Sequence, residues 1–196
     1  RDVNMKKFRR RKLDPFNDVL VITTCDFHDE RGFFSEHYNK KEIEMLTGTS
    51  IDFVQDNFSS SKKGVLRGLH FQSEPYSQEK LLRVIHGEIL DVVVDLRTQQ
   101  ETFGKWASIV LSDINNEMLF LPSGFAHGFL CLSTCAQVHY KCSNYYNKNS
   151  EKTLIWSDKF LNIDWQEKSL IDDFYISEKD QNGLSFDRLR EAGLLF

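Results

Sequence analysis

The 196-residue chain has few of the features that mark specialised protein classes. It has three prolines and ten glycines, and they form no linker, repeat or low-complexity run. Disordered and solenoid architectures are therefore not expected. No apolar stretch approaches the roughly 18 residues of a membrane span. The start of the chain lacks the apolar centre of a secretory signal. Met5 reads as a natural start, which makes Arg1 to Asn4 an addition to it. There is no excess of positive charge: 25 Lys and Arg face 29 Asp and Glu, a formal charge of −4. A dedicated nucleic-acid binder is disfavoured. Four cysteines, at 25, 131, 135 and 142, are too few and too scattered for a disulfide framework, and they read as reduced thiols of a cytoplasmic protein. A glycine-rich dinucleotide loop is also missing.

What is abundant is aromatic: 16 Phe and six Tyr, residues suited to a pleated surface. Strands are expected over 19–24, 33–38, 52–59, 65–71, 80–86, 88–96, 106–111, 117–121, 128–132 and 136–142. Short strands at this spacing predict a sandwich or barrel. Both parities of 88–96 are largely apolar, as in a central strand, with Asp91 and Asp95 interrupting one face toward a polar interior. Gly87 suggests a tight hairpin between 80–86 and 88–96. Two helices are expected: Lys40–Thr47, capped by Asn39 and stopped by Gly48, and 186–192, capped by Ser185. The run Arg9-Arg10-Arg11-Lys12 reads as a solvated arm.

Two segments carry candidate chemistry. In Gly64-Val65-Leu66-Arg67-Gly68-Leu69-His70-Phe71-Gln72, strand alternation puts Leu66, Gly68, His70 and Gln72 on one face and Arg67, Leu69 and Phe71 on the other. His70 titrates near working pH and is a candidate base; a structural histidine on a barrel wall is the plainer alternative. In Leu121-Pro122-Ser123-Gly124-Phe125-Ala126-His127-Gly128-Phe129, a turn delivers His127 to the start of a strand. Metal ligation by His70 and His127 is disfavoured, because Gln72 stands where a second ligand would and Lys80 would oppose a cation. Cys131, Cys135 and His139, spaced by four, lack a fourth ligand at a familiar zinc spacing. Arg31, Lys80, Arg83 and Lys179 are scattered cations that would bind an anion only by converging with Arg67.

Together these segments resemble the dTDP-4-dehydrorhamnose 3,5-epimerase family. The matching pieces are Asp29-Glu30-Arg31-Gly32-Phe33-Phe34, Gln55-Asp56-Asn57, the Val65–Gln72 run, Gln78-Glu79-Lys80-Leu81, the run from Gly87 to Arg97, the run from Pro122 to Phe129, Tyr140-Lys141 and Ser177-Glu178-Lys179-Asp180. They follow family order across residues 15–182. The resemblance implies an all-β, cupin-type jelly roll with a few short helices, formed by a single domain over 1–196. Residues 1–14 would be an arm, 15–182 the core and 183–196 a short C-terminal helix. It also implies a homodimer, no metal or organic cofactor, and a nucleoside-diphosphate 4-keto-6-deoxy sugar as substrate.

By matched position, His70 would be the base, oriented by Asp180. Lys80 would lie near the enolate oxygen, and Tyr140 would deliver a proton from the opposite face. Arg31, Glu36, Gln55, Asn57 and Arg67 would hold the nucleotide and phosphates, with Phe34, His127 and Lys179 completing the binding set. The Arg31 segment would reach into a neighbouring subunit. The chemistry suits such a set: a ketone at carbon 4 acidifies carbons 3 and 5, and inversion needs a base and an acid on opposite faces. The substrate carries its own electron sink, so no cofactor is required. Alternatives are inversion at one centre only, on a GDP-linked or other hexose or heptose; ketoisomerase chemistry; a non-catalytic sugar-nucleotide binder; and a metal-dependent oxygenase.

Overall fold

The computed structural model describes residues 7–166 and 169–196. The expectation for Arg1 to Met5 lies outside them. Two sheets face each other. The first is built from β1 (Phe8–Lys12), β2 (Leu20–Thr24), β10 (Glu117–Leu121), β7 (Lys80–His86), β12 (Cys135–Cys142) and β5 (Gln55–Lys62), in that order. The second runs β13 (Glu151–Thr153), β6 (Val65–Gln72), β11 (Phe125–Cys131), β8 (Glu88–Asp95) and β9 (Trp106–Ser112), with β14 (Tyr175–Ile176) parallel to β6. A separate hairpin joins β3 (Asp26–Asp29) to β4 (Gly32–Ser35). The helices are α1 (Lys40–Thr47), α2 (Glu178–Gln181) and α3 (Phe186–Glu191). This is the expected cupin-type jelly roll.

Alternation decides what fills the interior. On β8, Ile89 and Val93 point between the sheets and meet Leu82, Val84 and Val138 of the first sheet. Leu90, Val92 and Val94 point outward, where Trp165, Phe186 and Leu189 cover them. Both faces of β8 are therefore buried, as its apolar content required. Asp91 shares the parity of Ile89 and Val93, so it faces the interior. The outer side of the first sheet is partly covered by α1, whose Ile43 packs with Ile22, Met118 and Phe120. Each such fully buried side chain contributes about 1.5–3 kcal/mol.

Both helix expectations hold, with α3 ending one residue earlier than expected, at Glu191. The Asn39 side chain accepts from the Glu42 amide, Gly48 sits at φ +74°, and Ser185 accepts from the Arg188 amide. Three expectations are corrected. Gly87 is not a hairpin turn, because β7 and β8 belong to opposite sheets; it is the point where the chain crosses between them. A Cβ there would lie 2.1 Å from the Cys135 carbonyl oxygen. Residues 9–12 form not an arm but edge strand β1, paired with β2, and its exposed basic side chains discourage further pairing. Residues 36–38 are not strand; the chain leaves β4 at Ser35 to enter the cap of α1.

Candidate active site

The alternation expected for β6 fails at one point, and the failure builds the site. His127 of β11 pairs with His70, but Phe129 pairs with Arg67, so three steps on β6 oppose two on β11. This extra residue is a β-bulge. Beyond it the parity flips: Leu66, Leu69 and Phe71 share the apolar layer, while Arg67 joins His70 at one cavity. Gly68 is required at the bulge. Its φ is +123°, and a Cβ would sit 2.6 Å from the Gly128 Cα.

The cavity between the sheets has two lobes. His70, Lys80, Tyr140 and Glu151 line both. One lobe, of about 180 Å³, adds Gln55, Asn57, Gln72, Gln78 and Tyr146. The other, of about 230 Å³, adds Ser59, Arg67, His127 and Phe129. Register explains the convergence. On the first sheet, Lys80 lies opposite Cys142 and Tyr140 lies opposite Asn57, so all four point inward.

Two histidine–carboxylate pairs stand at this cavity. His70 Nε2 lies 2.6 Å from Asp180 Oδ1, and the Gly68 amide donates to Asp180 Oδ2 at 3.0 Å. Helix α2, capped by Ser177, presents this carboxylate. Burial works to raise the Asp180 pKa, but the bonds from His70 and Gly68 outweigh it and hold the carboxyl below the usual range. With Asp180 ionised, Nε2–H of the neutral ring donates to its Oδ1, and Nδ1 of His70 keeps a lone pair. The second pair joins His127 Nε2 to Asp91 Oδ2 at 2.7 Å. Here burial dominates and raises the Asp91 pKa against the opposing charges of His127 and Lys80.

Across the cavity, burial pushes the Tyr140 phenol above its ordinary range, so it keeps its proton at neutral pH. Burial also pushes the Lys80 amine down, against the pull of Cys142, Asp91 and Glu151. Lys80 Nζ lies 6.0 Å from the centre of the Tyr140 ring. Arg67 is braced toward the cavity by Ser61 Oγ, to which its Nε donates at 3.0 Å. Gln55 and Asn57 are joined at 3.1 Å. Lys179 sits beside Asp180 and pairs with Glu151 at 2.5 Å.

Arg31, Phe34 and Glu36 are not brought to this chain's cavity. Arg31 is at the exposed tip of the β3–β4 hairpin, where it pairs with Asp29. Phe33 and Phe34 are 64% and 69% exposed. Glu36 accepts from Asn39 Nδ2 and Lys7 Nζ. Of the disfavoured zinc set, the Cys131 thiol donates to the Ser61 carbonyl and His139 faces Asp56. Sequence reasoning missed Glu151 and Tyr146. The Tyr146 hydroxyl donates to Glu151 at 2.9 Å. Glu151 lies on a three-residue strand, too short to announce itself by periodicity.

The interior of the jelly roll brings His70, with its Asp180 partner, to one cavity with Tyr140 and Lys80, and the relatives place the protein among the isomerases of sugar nucleotides. The model of the dTDP-4-dehydrorhamnose 3,5-epimerase family matches residues 14–188. A dTDP-4-dehydrorhamnose 3,5-epimerase of Shigella flexneri is 49% identical over 169 residues, 86% of this chain and 91% of that one. The crystal structure of dTDP-6-deoxy-D-glucose-3,5-epimerase from Legionella pneumophila, in complex with dTDP-4-keto-L-rhamnose, superposes with a TM-score of 0.89 at 41% identity, covering 96% of this chain and 97% of that one. A 3′-monoepimerase from Streptomyces bikiniensis, in complex with dTDP-quinovose, gives a TM-score of 0.86 at 27% identity over 94% and 92%. The chain belongs to the dTDP-4-dehydrorhamnose 3,5-epimerase family.

Proposed function

We propose that the protein inverts carbons 3 and 5 of a dTDP-linked 4-keto-6-deoxy sugar through enolates formed at its internal cavity. The observation that carries this reading is that His70, held by Asp180, lines the same cavity as Tyr140 and Lys80. His70 Nδ1 takes the proton from the carbon beside the ketone, and the C–H electron pair moves into the enolate. Asp180 stabilises the imidazolium that forms. The Lys80 ammonium balances the charge developing on the carbonyl-derived oxygen. Tyr140 then donates its proton to the opposite face. Net transfer of one proton from imidazolium to phenolate through solvent resets both groups. Gln55, Asn57, Arg67, His127 and Lys179 hold the nucleotide, diphosphate and sugar.

The working unit in this reading is a homodimer. A two-stranded hairpin is marginal alone in water, yet β3–β4 stands apart from both sheets with Phe33 and Phe34 exposed. Seating this hairpin on a second copy would bury those rings and bring Arg31, Phe34 and Glu36 to the partner's cavity. A cytoplasmic location fits the four free thiols.

Incubating the protein with dTDP-4-keto-6-deoxyglucose should convert it to the doubly inverted sugar, and His70→Asn should slow turnover at least ~10²-fold with the fold retained. Near wild-type turnover by that variant would remove His70 as the base. Single-centre inversion is the second reading, favoured by the likeness to the 3′-monoepimerase.

A further inference from the structure

Two ionisable groups that point between the sheets, the buried Asp91 and the partly buried Lys80, are incompletely paired among the described residues. Lys80 forms no ion pair with any described residue, although burial opposes its charge. Asp91 is 0% exposed; its Oδ2 accepts from His127, while Oδ1 is sealed from solvent and meets no hydrogen-bond donor among the described residues. Asp91 shares the inward parity of Ile89 and Val93 on β8, and Lys80 of β7 lines the cavity between the sheets. A buried ion is costly unless an opposite charge compensates it.

The other groups near Lys80 are poor counter-ions. Glu151 is already engaged by Lys179 at 2.5 Å and by the Tyr146 hydroxyl at 2.9 Å. Burial keeps the Cys142 thiol and the Tyr140 phenol protonated. Arg67 is a cation, and His70 is committed to Asp180. Asp91 is the carboxylate that remains: burial works against its charge, and the bond from His127 and the Lys80 charge work for it.

We propose that Asp91 is a positioning residue of the reaction: one carboxylate oxygen fixes His127, and the other supplies the buried negative charge that balances the Lys80 ammonium. Asp91 touches no substrate in this role. It acts through two side chains that line the lobe, setting the ring orientation of one and sustaining the charge of the other. The inference rests on the assignment of Lys80 to the enolate oxygen.

Asp91→Asn keeps the shape and removes the charge. Its kcat should fall about tenfold or more, with any rise in KM reporting the loosened His127. Without the anion Lys80 loses its proton more easily, so the alkaline limb of the kcat profile should move to lower pH by about one unit. A purely structural aspartate would not move that limb. Direct readout comes from NMR of lysine labelled at Cε: the Lys80 signal should titrate at lower pH in Asp91→Asn. Wild-type kcat, or an unmoved Lys80 titration, would overturn the proposal. If Asp91→Asn does not fold, wild-type protein labelled at lysine Cε and aspartate carboxyl carbons replaces it. The Lys80 signal should then follow the Asp91 titration, and independent titrations would overturn the proposal. Activity surviving in His70→Asn would instead overturn the proton-transfer reading itself. An inactive His70→Asn beside an unaltered Asp91→Asn would remove only the role of Asp91.

Discussion

Lys80 and Tyr140 answer opposite demands with the same physical means. Burial discourages charge on both. For a phenol this preserves the proton that must be donated; for an amine it sharpens the need for a nearby anion. Lys80→Ala should therefore cost roughly 3 kcal/mol of barrier, measured as kcat/KM. An effect on KM alone would place Lys80 at the phosphates instead. In Tyr140→Phe, solvent proton exchange at the sugar should survive while inversion fails; normal inversion of both centres would assign the donor elsewhere. Asp180 makes a prediction about stability. Its folded pKa is depressed, so its contribution is fully present above the unfolded value of about 3.9 and is lost as pH falls through the folded value. Urea unfolding should show this loss below about pH 4, with a shallower acid-side fall in Asp180→Asn. An identical acid profile in that variant would contradict the cited cause.

At the scale of elements, the β6 bulge carries the site. Gly68→Ala would force a Cβ against Gly128 at a φ that other residues rarely adopt. It should cost on the order of 3 kcal/mol in stability and displace the His70–Asp180 pair. A variant as stable and active as the parent would contradict this account of the bulge. The same element shows why part of the site was legible in the sequence and part was not. His70 alone was also readable as a structural histidine, and the roles of Lys80 and Tyr140 came from the family resemblance, whereas Asp91 was visible as a polar break in an apolar strand. The shared face of Arg67 and His70 was not visible, because simple alternation has no place for an extra residue. Gly87 misled for a related reason: a glycine between two strands marks a sharp change of direction without saying whether the strands pair or part. β1 escaped notice because edge strands need few apolar residues.

At the scale of the whole molecule, the two sheets supply a rigid wall, and the C-terminal segment closes it from behind by burying Phe186 and Leu189 against the second sheet. The β3–β4 hairpin is the part this packing leaves unexplained within one chain. Phe33→Ser combined with Phe34→Ser should leave the jelly roll folded and shift the protein from dimer to monomer in sedimentation, with activity falling alongside. A stable dimer in that variant would contradict the proposed seat. The central claim concerns where protons leave and return. Proton NMR in deuterated water, with thymidine- and guanosine-linked 4-keto-6-deoxy sugars, follows carbons 3 and 5 directly. The account predicts loss of both signals with the thymidine-linked sugar and a rhamnose-type product on reduction. Retention of both signals with the thymidine-linked sugar would contradict it.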